Sequence, residues 1–254
     1  MHHRGMTTSR LRGAAIAAVL VLVAAAALVS GGGSGSDPVI DPGDGGAYAP
    51  VVDPAHFVEI VDNPYLPLVP GSRWVYESTG DGETERVEVV VTDERRTVAG
   101  ISAVVVRDTV RVGGRVVEDT FDWFAQDREG NVWYLGEDSK EFEDGQVSDD
   151  GSWEAGVDGA RPGIVMQANP TVATAYRQEF LEGEAEDMAE VIRLGDRTTV
   201  PFGSFDDVVV TKEWTPLEPE TVESKYYAPG VGVVLEETTA GGHGRLELIE
   251  YTHR

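Results

Sequence analysis

From Asn63 to the C-terminus, short runs rich in valine and aromatic residues recur at intervals of roughly ten residues, parted by turn residues. Arg73–Glu77, Arg86–Val91, Ala103–Val112, Val116–Ala125 and Val132–Leu135 form one series, and Val208–Trp214, Val222–Ala228, Val231–Glu237 and Leu246–Tyr251 a second. No βαβ rhythm and no fixed-period repeat interrupts them. This spacing predicts a mainly β fold, an antiparallel curved sheet forming an unclosed barrel or a sandwich, with little helix outside the N-terminal signal. Residues 143–163 read as a long Gly/Asp loop, and 172–194 lean towards strands.

One hairpin fixes a register. Gly113-Gly114 in VRVGGRVV signals a two-residue turn of type I′ or II′. Counting outwards, Val112 faces Arg115, Val110 faces Val117, Asp108 faces Asp119, Val106 faces Phe121 and Val104 faces Trp123. The apolar members then share a buried face, while Arg107, Thr109, Arg111, Glu118, Thr120 and Asp122 share the wetter one.

Asp108 opposite Asp119 breaks that pattern. Like charges directly opposed at about 5 Å destabilise a sheet, and unpaired buried carboxylates cost several kcal/mol. An arginine from another strand, a bound cation, a shared proton or water must compensate. The pair therefore stands as the candidate ligand or cation site, against a structural Asp–Arg network. A bulge shifting the register by one would turn both residues outward.

The next connection, DWFAQDREGNVWYLGE (122–137), joins aromatic rings to acidic side chains. As a calcium loop starting at Asp127 it fails: position 6 is Val132 instead of Gly, and position 12 is Asp138. A type I turn with Gly130 in a G1 bulge fits instead. The register then puts Ala125 opposite Trp133 and Trp123 opposite Leu135 on the buried face. Phe124 and Tyr134 pair on the other face as a candidate aromatic surface. YYAPGVGVV places Pro229-Gly230 at the centre of a type II turn.

The first 31 residues form a separate unit. Arg4, Arg10 and Arg12 precede an apolar run, Ala14 to Val29, that is short for a membrane span and suits a secretory signal. Leu28-Val29-Ser30 precedes Gly31 where a lipoprotein would carry its lipidated cysteine, and the chain has no cysteine. Processing near Ser30 or Gly31, or retention as a signal anchor, are the alternatives. Residues 32–55 read as a flexible Gly/Pro/Asp-rich linker and 56–254 as a single β-rich domain.

Loss of the leader removes three arginines and no acid, leaving 17 basic against 45 acidic residues and a formal charge of −28. Such a charge repels phosphate backbones and anionic lipid surfaces, so neither nucleic acid nor an anionic membrane is an expected partner. His56, His243 and His253 are too dispersed for a zinc motif, and no P-loop, Gly-x-Ser-x-Gly elbow or dinucleotide fingerprint occurs. No motif requires a cofactor.

Five stretches, NPYLPLVPGSRWVYE, DWFAQDREGNVWYLGE, GSWEAGVDGARPGIVM, VPFGSFDDVVVTKEW and KYYAPGVGVVLEE, together resemble a family of uncharacterised bacterial exported proteins and lipoproteins, across nearly all of 56–251. The resemblance implies export and envelope association and brings no activity with it. At fold level the strand run ending in YYAPGVGVV is similar to the unclosed barrels of periplasmic lipoprotein carriers such as LolA. The expected function is a non-enzymatic exported binding or scaffold module. Its concave face, carrying Trp74, Phe121, Trp123 and Trp133, would meet a small apolar ligand or an envelope partner. The alternatives are a divalent-cation protein using Asp108 and Asp119, with Glu137 or Asp138 nearby, and a hydrolase using the same pair as acid and base.

Overall fold

The valine-rich runs become long paired strands in the structure, a computed structural model that describes residues 48–78, 84–143 and 145–253. The leader, with Ser30 and Gly31, lies outside the described residues. Thirteen strands build the main sheet. They are β1 (Arg73–Ser78), β2 (Glu85–Val98), β3 (Ile101–Val112), β4 (Arg115–Asp127), β5 (Val132–Glu143), β6 (Arg161–Met166) and β7 (Ala175–Arg177). Then follow β8 (Glu179–Phe180), β9 (Met188–Val200), β10 (Gly203–Trp214), β11 (Val222–Ala228), β12 (Gly232–Ala240) and β13 (Arg245–Thr252).

Among the described residues every strand pairing is antiparallel, in the order β7-β9-β10-β11-β12-β13-β1-β2-β3-β4-β5-β6-β8. The sheet curls into a barrel that is nearly closed, with one unsealed seam. The expected mainly β, unclosed antiparallel architecture is what forms. The sheet's two end strands, β7 and β8, are consecutive in sequence, so the chain itself crosses the seam at Gln178. Gly163 on β6 lies directly beneath that crossing, where a Cβ would collide with backbone atoms of Arg177 and Gln178.

The expected linker is not wholly detached. Tyr48 is buried against the seam, its hydroxyl donating to the Pro162 carbonyl at 2.8 Å and its ring edge-on to Phe180. Short strands at Phe57–Val58, Gln146–Ser148 and Trp153–Glu154 add to β4 and β5, and Asp62–Asn63 pairs with Leu66–Pro67 in a second small sheet. The loop expected over 143–163 thus contains strand segments and the start of β6.

Gly113 and Gly114, at φ 57° and 80°, form the type I′ turn with Val112 opposite Arg115. Two residues later the register slips. Arg111 pairs with Val116 but Val110 pairs with Glu118, a bulge that leaves Val117 unmatched. From there Asp108 faces Thr120, Val106 faces Asp122 and Val104 faces Phe124. A one-residue slip sends every later side chain of β4 to the opposite face.

The two faces are told apart by exposure. Arg73 with Glu88, Arg86 with Glu77 and Arg107 with Asp119 form ion pairs on the outer wall. Such a wall faces water, since a membrane barrel turns an apolar belt outward. The inner face carries Trp74, Tyr76, Val87, Val89, Val91, Val106 and Val110, continued on β13 by Leu246 and Leu248. These side chains meet in one contiguous core.

Candidate functional site

The register places Asp108 and Asp119 on opposite faces. Asp119 lies on the outer wall, held by the Arg107 guanidinium at 2.7 and 2.8 Å and by Thr109 at 3.2 Å. Asp108 stays inside, 1% exposed, with no hydrogen-bond partner for either carboxylate oxygen. The two cannot act on one ion or one substrate. The bulge turned outward one residue of the pair and left the other.

The aromatic surface is corrected by the same slip. Phe124 and Tyr134 are 0% and 1% exposed, stacked at 4.9 Å inside the barrel. Trp123 lies buried on the outer wall beneath the Arg96 guanidinium, 3.9 Å above its ring. Trp133 lies beside Phe57 and donates its indole N–H to Asp127 at 2.8 Å. Phe121, on the same outer face, lies under Arg107. Of the four rings expected on one concave face, Trp74 alone takes the inner side. Asp127 caps the β4–β5 turn by accepting from the Asn131 amide at 2.8 Å, and Gly130 has φ 98°, so this turn is the G1 hairpin expected.

What replaces the predicted pair is a row of acids inside the barrel. The slip brings Asp122 inward, directly opposite Glu137 on β5, and both are buried. Asp122 accepts from the Tyr134 hydroxyl at 2.8 Å through one oxygen, and its other oxygen has no partner. Glu179, on the seam strand β8, is equally buried, with one oxygen unpartnered.

Burial is the first cause that drives these pKa values up, because a dry interior disfavours the charged form. The Asp122 carboxyl is pushed to about 7 by burial, with Tyr134's hydrogen bond opposing and Glu118 adding to the rise. Asp108 goes well above the carboxylate range through burial, then Asp122, Glu118 and Glu85, with Lys225 pulling the other way. Glu137 rises through burial, then Asp122 and Glu179, and Glu179 through burial, then Asp187.

Across the interior the charge is answered. Lys225 on β11 is buried with its ammonium 3.0 Å from Glu213 on β10 and 3.6 Å from Glu236 on β12. Thr211, Lys225 and Glu236 are successive cross-strand partners, and Glu213 lies two residues from Thr211, which sets Lys225, Glu213 and Glu236 on one face. Burial works against the Lys225 charge, but Glu213, Glu236 and Glu223 outweigh it and hold its pKa above the ordinary value. Thr211 and Tyr227 also donate to Glu213, at 2.7 and 3.0 Å.

Among the described residues, no group of three His, Asp or Glu side chains converges tightly enough to hold a metal ion. A concave site lies elsewhere. A cleft of about 680 Å³ opens beside the seam, between the loop before β6 and the loop after β8. Trp153, Val157, Ala160, Phe180 and Leu181 give it apolar walls. Glu154, Asp158, Glu182 and Glu184 edge it, with Arg161 as its one basic residue.

The fold and site thus define an antiparallel barrel with charged outer walls, an acid-rich dry interior and a ligand-sized cleft at its seam. No protein-family model matches the chain, and no curated protein does. Among solved structures, a "putative lipoprotein" from Parabacteroides distasonis overlays at a TM-score of 0.44 and 14% identity, covering 75% of this chain and 99% of that one. An overlap that loose transfers no activity.

Proposed function

We propose that this chain is an exported, envelope-associated binding module with no enzymatic role, and that its ligand occupies the cleft beside the seam. The observation that carries this reading is the cleft of about 680 Å³, which falls within the roughly 300–1,000 Å³ of small-molecule sites. Its apolar walls and acidic edge suit a small organic molecule with an apolar body and a cationic end. Export is supported by Arg4, Arg10 and Arg12 ahead of the Ala14–Val29 run, whether the leader is cut near Ser30 or kept as an anchor. The divalent-cation and hydrolase alternatives both needed Asp108 to face Asp119, and both lose their geometry with it.

Benzylamine, benzyl alcohol and benzoate test the reading by thermal shift. Benzylamine is expected to raise the melting temperature of the wild type most. Val157→Arg, at an exposed residue of the cleft wall, is expected to abolish that rise without changing the unliganded melting temperature. Equal shifts from all three compounds, or an undiminished shift in the variant, would contradict it.

A further inference from the structure

The seam is where the barrel's shortest pairing meets a buried acid with an unpartnered oxygen. Strand β8 has two residues and is held to the sheet's edge by two pairings with β6, Phe180 to Arg161 and Glu179 to Pro162. Its two side chains divide the work. Phe180 turns out to the Arg177 guanidinium, 4.6 Å from its ring, and to Tyr48. Glu179 turns in, 1% exposed, towards the acids of β4 and β5.

Burial and the neighbouring acids raise the Glu179 pKa, while hydrogen bonds from the Trp153 side chain and the Asp187 backbone oppose them. Asp122 on β4, Glu137 and the Tyr134 hydroxyl on β5, and Asp187 in the segment leading into β9 all act on it electrostatically. Asp122 and Glu137 are directly opposed cross-strand partners, a spacing of about 5 Å at which two carboxylates repel. The buried ammonium of Lys225 is engaged with Glu213 and Glu236 on the far wall. Arg177 is turned to Glu186, Phe180 and Tyr48.

We propose that β8 is a proton-operated latch: while Glu179, Asp122 and Glu137 keep their protons the strand stays docked on β6 and the seam stays narrow, and their ionisation frees β8 and widens the seam. Protons lost by the three carboxyls pass to solvent and leave like charges facing one another in a dry interior. The cheapest relief is to give up two pairings and let water in at the seam. The long β2–β3 and β3–β4 ladders remain paired. The raised pKa values of Asp122, Glu137 and Glu179 agree in direction. The latch stands whether or not the cleft takes a ligand.

Hydrogen–deuterium exchange of the full chain, corrected for intrinsic rate, tests it at about pH 5 and about pH 8. Amides of β6 and β8 are expected to exchange about tenfold faster, or more, at the higher pH, with β2 and β3 unchanged. Asp122→Asn with Glu137→Gln is expected to keep the seam protected at both pH values. Glu179→Gln alone provides the same readout with one substitution. Equal seam protection at both pH values overturns the latch, as does a loss of protection spread evenly over all strands. So does a wild-type response in the neutralised variants.

Discussion

Asp122 on β4 stands directly opposite Glu137 on β5, both inside the barrel and both sealed from water. A carboxyl whose pKa is raised in the fold binds its proton more tightly there than in the unfolded chain. Folding is therefore favoured at low pH, and that advantage is lost as pH rises from the ordinary carboxylate value near ~4 through the folded value. Asp122 and Glu85, both pushed to about 7, set the window. The melting temperature is expected to fall by roughly 5 °C or more between about pH 5 and about pH 8. Asp122→Asn should flatten that slope, and calorimetry across the range checks it.

Lys225 gives the opposite case, a buried cation already answered. Lys225→Met strands Glu213 and Glu236 without their ammonium. Removing one partner of a buried ion pair costs about 3–5 kcal/mol. Adding Glu213→Gln and Glu236→Gln to Lys225→Met should recover most of the loss, as read by urea unfolding. A harmless single substitution would contradict the placement of Lys225 inside.

The strands and their turns were legible in the sequence because both follow local rules. Period-two alternation marks the ladders, and Gly113-Gly114, Gly130 and Pro229-Gly230 mark turns whose φ angles or chain reversals demand them. The bulge after Val110 was not legible. It inserts Val117 in a run of alternating residues where nothing in the composition differs. That single residue inverted the face of Asp119, Asp122, Trp123 and Phe124. The acid row was hidden for a second reason: in a chain with 45 acidic residues, inward and outward carboxylates look alike until strands are paired. Lys225 carried a usable signal. Its neighbours Tyr226, Tyr227 and Val222 read as a central strand, and a lysine there calls for acids on both flanking strands. The seam strands are too short for periodicity to mark their bounds.

Asp108 and Asp119 are expected to act independently. Asp119→Ala removes an exposed ion pair with Arg107 and should cost under about 1 kcal/mol. Asp108→Asn replaces a buried, unpartnered carboxyl by a neutral amide of the same shape and should be neutral or stabilising near neutral pH. A double-mutant cycle should show coupling below about 0.5 kcal/mol, since the two side chains share no partner. Coupling well above that value would restore the pair.

Gly163→Ala probes the closure of the barrel. Its Cβ would strike the Arg177–Gln178 backbone where the chain crosses the seam. Either that crossing lifts or β6 shifts, at a cost of about 1–3 kcal/mol. Exchange protection should fail first in β7 and β8.

The most direct measurement on the cleft as the binding surface is a two-dimensional amide NMR titration of the full chain with benzylamine. Shift changes are expected to concentrate in Ser152–Arg161 and Phe180–Glu184, which enclose the cleft, and to disappear in Val157→Arg. No saturable change there, or changes centred on another face of the barrel, would contradict the account.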